Sequence, residues 1–537
     1  MAISKLAFLS GIAGASAFAV SPLFPGAGLG GNGDDQLPLG GAEHWDTPEA
    51  GSEQLFTCDL PPVLDPSGDG LPSADELFSG PAALAKQVER HQAIVRVPSV
   101  SYDDLGAPGE DPRWAPFYDL HETLASVFPN VHRAARVEKV NTLGLVYTLQ
   151  GSDPSLKPTL LAAHLDVVPV ADASTWTHPP FAAVFDGEWL WGRGSGDDKN
   201  SLTALLSAVE ALLGDDVAWT PTRTLLLAFG FDEECSGNRG AGTIGAFLTE
   251  RYGDDGIAIV LDEGGLAVMP VGGDTLYALP AVHEKGHVDV YLELSVAGGH
   301  SSIPLPHTGI GIVAEIVSAL EANPYEPALL PDSPVHRHMQ CLARYSPDAV
   351  PEMTDVIRRG DLESAATLLA GLSRAGRFMI QTAQAVDVIK GGQKINALPE
   401  VVTLGVNYRV APQDSIPAIQ RNFVKSIGPI IAKYDLKLDA FPGDRDYEVL
   451  VGDEELVVRP ESWESSVYNG TLVLEARDKS YGTPVSPTSG PVWDTFAGTI
   501  RHRFAFEGGT VVPVGEIMTG NTDTRHYLSK ATELPLL

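Results

Sequence analysis

The chain has 537 residues and a formal net charge of −34 at pH 7. That length suffices for more than one domain and a large core. The acidic balance excludes a nucleic-acid surface, which needs clustered Lys and Arg.

Taken in chain order, Lys5 precedes an apolar run from Leu6 to Val20, with small residues at Ala15-Ser16-Ala17. Residues 1–20 therefore predict a secretory signal peptide or, if uncleaved, a signal anchor. Either way the protein is expected in the secretory pathway, in the vacuole or outside the cell. That segment is the one membrane attachment expected. Residues 21–80 are rich in Gly, Pro and Asp, lack periodicity, and read as an irregular N-terminal extension.

Helices are predicted over 81–95, where Val88, Ile94 and Val95 mark an apolar side, and over 116–128. Strand-like runs follow at 142–149 and 159–163. An apolar helix is expected over 201–213, a buried strand over 223–229, a helix over 240–252 and a strand over 257–261. Strands alternating with helices predict an α/β catalytic domain with a mostly parallel central sheet. The pattern changes near His283-Glu284-Lys285-Gly286. Residues 287–295 alternate, helices are expected at 309–322 and 361–372, and strands at 384–389 and 401–410. We read 285–412 as an inserted α+β lid domain. The catalytic domain would then comprise 81–284 and 413–537, the second part holding a helix over 416–434 and a strand over 510–514.

The cysteines are Cys58, Cys235 and Cys341, an odd set that is no disulfide framework. Asn469-Gly470-Thr471 is a glycosylation sequon that a secretory route could use.

The chemistry concentrates in four clusters: His164-Leu165-Asp166, Asp197-Asp198 after a glycine-rich turn, Asp232-Glu233-Glu234, and Asp262-Glu263. Each lies at or just beyond a strand-like run. In open α/β sheets such strand ends are where ligands bind. One imidazole with several carboxylates is a ligand set for two divalent cations, and zinc suits the mixture. No cysteine cluster accompanies it, which argues against a structural zinc knot. Two ions need a bridging carboxylate and a base that is not a ligand. Asp197 could bridge, and either Glu233 or Glu234 could be the base.

These segments, with Gly298-Gly-His-Ser-Ser302, Lys394-Ile-Asn-Ala-Leu-Pro399 and Gly520-Asn-Thr-Asp-Thr524, resemble the zinc peptidases of the aminoacylase–carboxypeptidase family. The resemblance runs from about residue 90 nearly to the end. It implies two Zn2+ ions per subunit. His164 would bind one, Asp197 would bridge both, and Glu234 would bind the other. Asp262 would complete the His164 ion, with Glu263 as its rival. Asp166 would orient His164, Glu233 would be the general base, and the Asp197–Asp198 peptide would be cis. His300 would donate to the developing oxyanion, while Arg409 and Asn396 would hold the substrate's carboxylate. The implied reaction is cleavage of the amide next to the C-terminal residue of a small peptide. N-acyl amino acid hydrolysis or synthesis is the alternative. The lid is of a dimerisation type, so a homodimer is a possible assembly.

The family pattern also needs a late histidine beyond Gly520–Thr524. Residues 527–537 carry none, and His526 falls at a different motif position. This leads us to expect a truncated second part of the catalytic domain and a weaker second metal site. In its extreme form that expectation is a metal-poor, non-catalytic homologue.

Overall fold

The computed structural model describes residues 58–215, 217, 219–265, 267–451 and 467–528. The expected signal segment, most of the N-terminal extension and residues 529–537 lie outside them.

Two helices open the catalytic body. α1 (Gly80–Val95) carries Pro81 in its first turn, where a missing N–H is harmless, and buries Val88, Ile94 and Val95. α2 (Ala115–Val127) buries Phe117, Leu120 and Leu124. The chain then builds β1 (Arg136–Val140), β2 (Gly144–Leu149) and β3 (Thr159–His164). After α3 (Lys199–Leu212) come β4 (Leu225–Gly230), α4 (Ala241–Tyr252) and β5 (Ile259–Leu261). The five strands form one sheet in the order β1-β2-β4-β3-β5. β3 runs parallel to both β4 and β5, while β2 and β1 add an antiparallel edge. The α/β architecture expected from the alternation is present.

Both faces of this sheet are covered, which is why its strands read as continuous apolar runs. Leu227 and Phe229 point into a core with Phe117, Leu120 and Leu206 from the helices. Leu226 and Ala228 point the other way, onto Ala241, Ile244 and Leu248 of α4. Truncating Phe229 to Ala in such a core costs about 3–5 kcal/mol. Because β3, β4 and β5 are parallel, their carboxyl ends face one edge. His164 sits opposite Gly230 there, and Leu161 opposite Leu261.

After β6 (Ala281–Glu284) the chain enters a second sheet through β7 (Gly286–Ser295). α5 (Gly309–Glu321), β8 (Ala383–Gly391), β9 (Val401–Val410), α6 (Ile416–Tyr434), β10 (Lys437–Ala440) and β11 (Thr471–Ser480) complete that layer. Its strand order is β8-β9-β7-β11-β10. This corrects the boundary expected at residue 412. Phe423, Ile427 and Ile431 of α6 share one core with Val288, Leu292, Leu472 and Leu474, so the lid continues to Ser480. The helices within 334–379 are corrected in the opposite sense. Val335, Met339, Leu342 and Leu369 pack with Tyr277, Val512 and Ile517, on the strands Thr275–Ala278 and Thr510–Pro513 and on β12 (Glu516–Met518). That layer has a core of its own, apart from the lid core. β12 pairs in parallel with β6.

Cys58 and Cys341 form a disulfide with Cα atoms 5.2 Å apart across 283 residues of sequence, and Cys235 is free. Among the described residues, no helix is long and apolar enough to cross a membrane.

Candidate active site

His164, the last residue of β3, is buried and has acidic groups on both ring nitrogens. Nδ1 lies 3.1 Å from the Asp166 carbonyl and 3.2 Å from its Oδ1. Nε2 faces Asp197 Oδ1 at 3.1 Å and Glu263 Oε1 at 3.4 Å. Two groups of potential ligands share this imidazole: His164 with Asp197 and Glu234, and His164 with Glu233 and Glu263. Within each group the ligand atoms lie within 4.8 Å of one another.

Asp166 organises the surroundings. Its Oδ1 accepts the Glu233 N–H at 3.1 Å. Oδ2 accepts the Glu234 N–H at 3.1 Å and the Ser101 hydroxyl at 2.6 Å. Burial pushes its pKa up, but the His164 hydrogen bond and charge win and hold it below the ordinary value. The Asp197–Asp198 peptide is cis. The Asp198 Oδ2 accepts the His164 N–H at 3.3 Å, tying the acidic loop to the end of β3.

Several expected residues are placed differently. Asp262 joins neither group of ligand atoms: Oδ1 accepts the Glu263 N–H at 2.9 Å and Oδ2 the Thr524 hydroxyl at 3.1 Å. Beyond the end of β5 at Leu261 the chain bends, and Glu263 is the one facing His164. His300 is exposed, with Nδ1 bound to the Ser302 hydroxyl at 2.7 Å. The short strand Gly299–His300 pairs with Ala397–Leu398, and the Asn396 carbonyl accepts the Ser301 N–H at 3.3 Å. His300 and Asn396 are thus neighbours on the lid and are not brought to the acidic cluster. Arg409, on β9, is half-buried and within electrostatic reach of Asp289, Glu233 and Glu284 on one side of the balance and of Arg525 on the other. Desolvation nevertheless lowers its pKa. The His526 ring meets the Ser236 carbonyl at 3.0 Å rather than either group of ligand atoms.

The electrostatics are those of too many acids in one place. Burial pushes Glu234 up to about 8 and, with the Glu263 charge, Asp262 up to about 7. Glu233 and Asp198 are raised well above the carboxylate range by burial and the same glutamate. Burial opposes protonation of His164, yet Glu263, Asp166 and Asp197 raise it well above the ordinary histidine value. Asp523, fully buried with an unpartnered Oδ1, adds a further acid that the sequence reading assigned no role. Its position inside Gly520–Thr524, a segment that also holds Thr524, was the available signal; Ser101 offered none. Divalent cations invert this balance, turning mutual repulsion among carboxylates into ligation. The donor set of one imidazole and several carboxylates fits such ions.

A covered α/β sheet presenting these groups at its parallel strand ends, beside a separate lid sheet, places the molecule among metal-dependent peptidases. Residues 160–535 match peptidase family M20/M25/M40, and the chain belongs to that family. It is 38% identical to carboxypeptidase S of Saccharomyces cerevisiae over 85% of this chain and 78% of that one. It is 28% identical to the mouse N-fatty-acyl-amino acid synthase/hydrolase, over 82% of this chain and 77% of that one. Among solved structures it resembles human carnosine dipeptidase 1, with a TM-score of 0.54 at 14% identity over 84% of this chain and 88% of that one.

Proposed function

We propose that this protein is a metallocarboxypeptidase that hydrolyses the amide bond preceding the C-terminal residue of small peptides. The observation that carries the reading is the His164 imidazole, whose Nε2 faces Asp197 and Glu263 together. His164, Asp197, Glu234 and Glu263 would hold two divalent ions, zinc by the nature of the donors. Asp197 would be the bridge. Such ions, when bound, draw charge from a carbonyl oxygen and ease deprotonation of water.

The protein's own groups supply the rest. Asp166 fixes the orientation of the His164 ring and pins the turn that carries both glutamates. Glu233 is half-buried on that turn and takes a proton from the attacking water, then returns it to the leaving amine. Arg409 receives the carboxylate of the C-terminal residue through its guanidinium fork. His300 and Asn396 sit together on the lid and would reach the substrate when the lid closes over it. The reading includes passage through the secretory route, supported by the Cys58–Cys341 disulfide, since such bonds persist in oxidising compartments.

The test is hydrolysis of carbobenzoxy-Gly-Leu beside an N-oleoyl amino acid. We expect leucine release that a chelator abolishes and zinc restores. A larger kcat/KM on the fatty-acyl substrate would replace the peptide assignment with an acyl-amino acid one.

A further inference from the structure

We propose that Asn521 is a positioning residue that aims Arg409 at the carboxylate of the substrate's C-terminal residue. The proposal rests on the carboxypeptidase reading and deepens it. The Asn521 carboxamide has two partners. Its Oδ1 accepts from Arg409 Nη1 at 3.0 Å, and its Nδ2 donates to the Lys285 carbonyl at 2.7 Å. A guanidinium only donates and a carbonyl only accepts, so these neighbours dictate which end of the amide faces which. Lys285 is the single residue between β6 of the body and β7 of the lid. Arg409 lies on β9, directly opposite His287 of β7. One side chain from the body therefore holds both the entrance to the lid and the lid's arginine.

The segment bearing Asn521 is itself anchored. The Thr522 N–H and hydroxyl both donate to Glu284 Oε1, at 3.1 and 2.5 Å, and the Thr524 hydroxyl reaches Asp262 Oδ2. An arginine on a long stem loses entropy when it is oriented for a bidentate contact. A fixed acceptor on Nη1 removes part of that loss beforehand and leaves the remaining N–H groups free to bind. The residue type also matters. An amide oxygen steers the guanidinium without cancelling its charge, whereas a carboxylate at 521 would neutralise it and repel the substrate.

The experiment measures kcat and KM for carbobenzoxy-Gly-Leu with full-length, zinc-loaded enzyme. The proteins are wild type, Asn521→Ala, Asn521→Asp, Arg409→Ala and the Asn521→Ala/Arg409→Ala pair, each checked by thermal melting. Asn521→Ala should raise KM roughly tenfold with kcat within about threefold, the pattern of lost ground-state binding. Asn521→Asp should raise KM further. The double variant should be no worse than Arg409→Ala alone, because the asparagine acts through the arginine. An unchanged KM in Asn521→Ala, where Arg409→Ala raises it, would overturn the proposal; so would single effects that multiply in the pair. An unchanged KM in Arg409→Ala would instead overturn the carboxylate-binding assignment, and the proposal with it. Should Asn521→Ala not fold, Asn521→Ser takes its place: its hydroxyl is too short to span Arg409 and the Lys285 carbonyl together, and its KM must exceed that of wild type.

Discussion

Asp166 Oδ1 accepts the backbone N–H of Glu233 at 3.1 Å, so the carboxylate that orients the histidine also sets the height of the proposed base. The same carboxyl group reaches Glu234 N–H and Ser101. Asp166→Ala should therefore loosen His164 and both glutamates together. We expect metal affinity and kcat/KM to fall by about 10–100-fold, the usual scale for a group that orients metal ligands. Zinc titration followed by calorimetry checks it.

Glu233→Gln keeps the shape of the side chain and removes its capacity to take a proton. The expected result is a kcat reduced by roughly 10²–10⁴-fold, with bound metal unchanged and KM within a few-fold. Metal analysis beside steady-state kinetics makes the distinction. Loss of metal in this variant would make Glu233 a ligand instead.

Asp262 and Glu263 are separated by what each one faces. Glu263→Ala should lose metal, because its Oε1 stands 3.4 Å from His164 Nε2. Asp262→Asn should retain it, because neither Asp262 oxygen belongs to a group of potential ligand atoms; it gives up one of its two acceptor contacts, to Glu263 N–H or to Thr524, but no ligand. Zinc equivalents per chain after dialysis decide between them, and the reverse order would restore Asp262 as the ligand.

The Cys58–Cys341 bond closes a loop of 283 residues in sequence and fastens the extension to the helix Pro334–Tyr345. Replacing both cysteines by Ser should destabilise the helical layer by about 2–5 kcal/mol. In a chain of several cores this is expected as an earlier first transition on melting rather than a uniform shift. Reductant should bring the wild type to the same point, while Cys235→Ser should melt as wild type does.

His91, packed against the loop that carries Asp197, gives a pH dependence of its own. Its Nδ1 meets the Thr203 hydroxyl at 2.9 Å and its Nε2 the Ser195 carbonyl at 3.1 Å. Burial, aided by the Lys199 charge, pushes its pKa down to about 4, against 6.5 in an unfolded chain. The unfolded state therefore binds more protons between these values. Stability is fully present above pH 6.5, declines as pH falls toward 4, and loses nothing further from this residue below that. The full effect is on the order of 3 kcal/mol. Denaturant unfolding at a series of pH values should show this slope in the wild type and a shallower one in His91→Gln.

Much of the catalytic sheet was legible because a strand buried on both faces needs an unbroken apolar run. Leu225–Gly230 is such a run, and the acidic clusters follow such strands directly. β11 was not legible: Leu472 and Leu474 supply its core side, but Glu475, Arg477, Asp478 and Lys479 give its second half the look of a loop. Without that strand the lid seemed to end too early. The helices within 334–379 misled for another reason. The helix expected over 361–372 shows a buried face but not its partner, and the partner proved to be the layer around Tyr277 and Val512 rather than the lid sheet. Within the site, residue type pointed to Asp262 and Glu263 alike; only the direction of the chain beyond β5 selects which side chain meets His164.

Lys285 has a consequence for how the halves of this molecule communicate. Its backbone is the passage from β6 to β7, and its Nζ donates to the carbonyls of Phe378 and Gln381, where the chain travels back toward β8. Gln381 in turn binds the Tyr325 carbonyl on the outward crossing. Thr483, past the end of β11, binds the carbonyl of Glu284. Four separate threads therefore pass through one junction, like the leaves of a hinge on a common pin. The strand that opens the lid, the returning chain at Phe378–Gln381, the crossing at Tyr325 and the segment after the lid are thereby hydrogen-bonded to one another around a single residue.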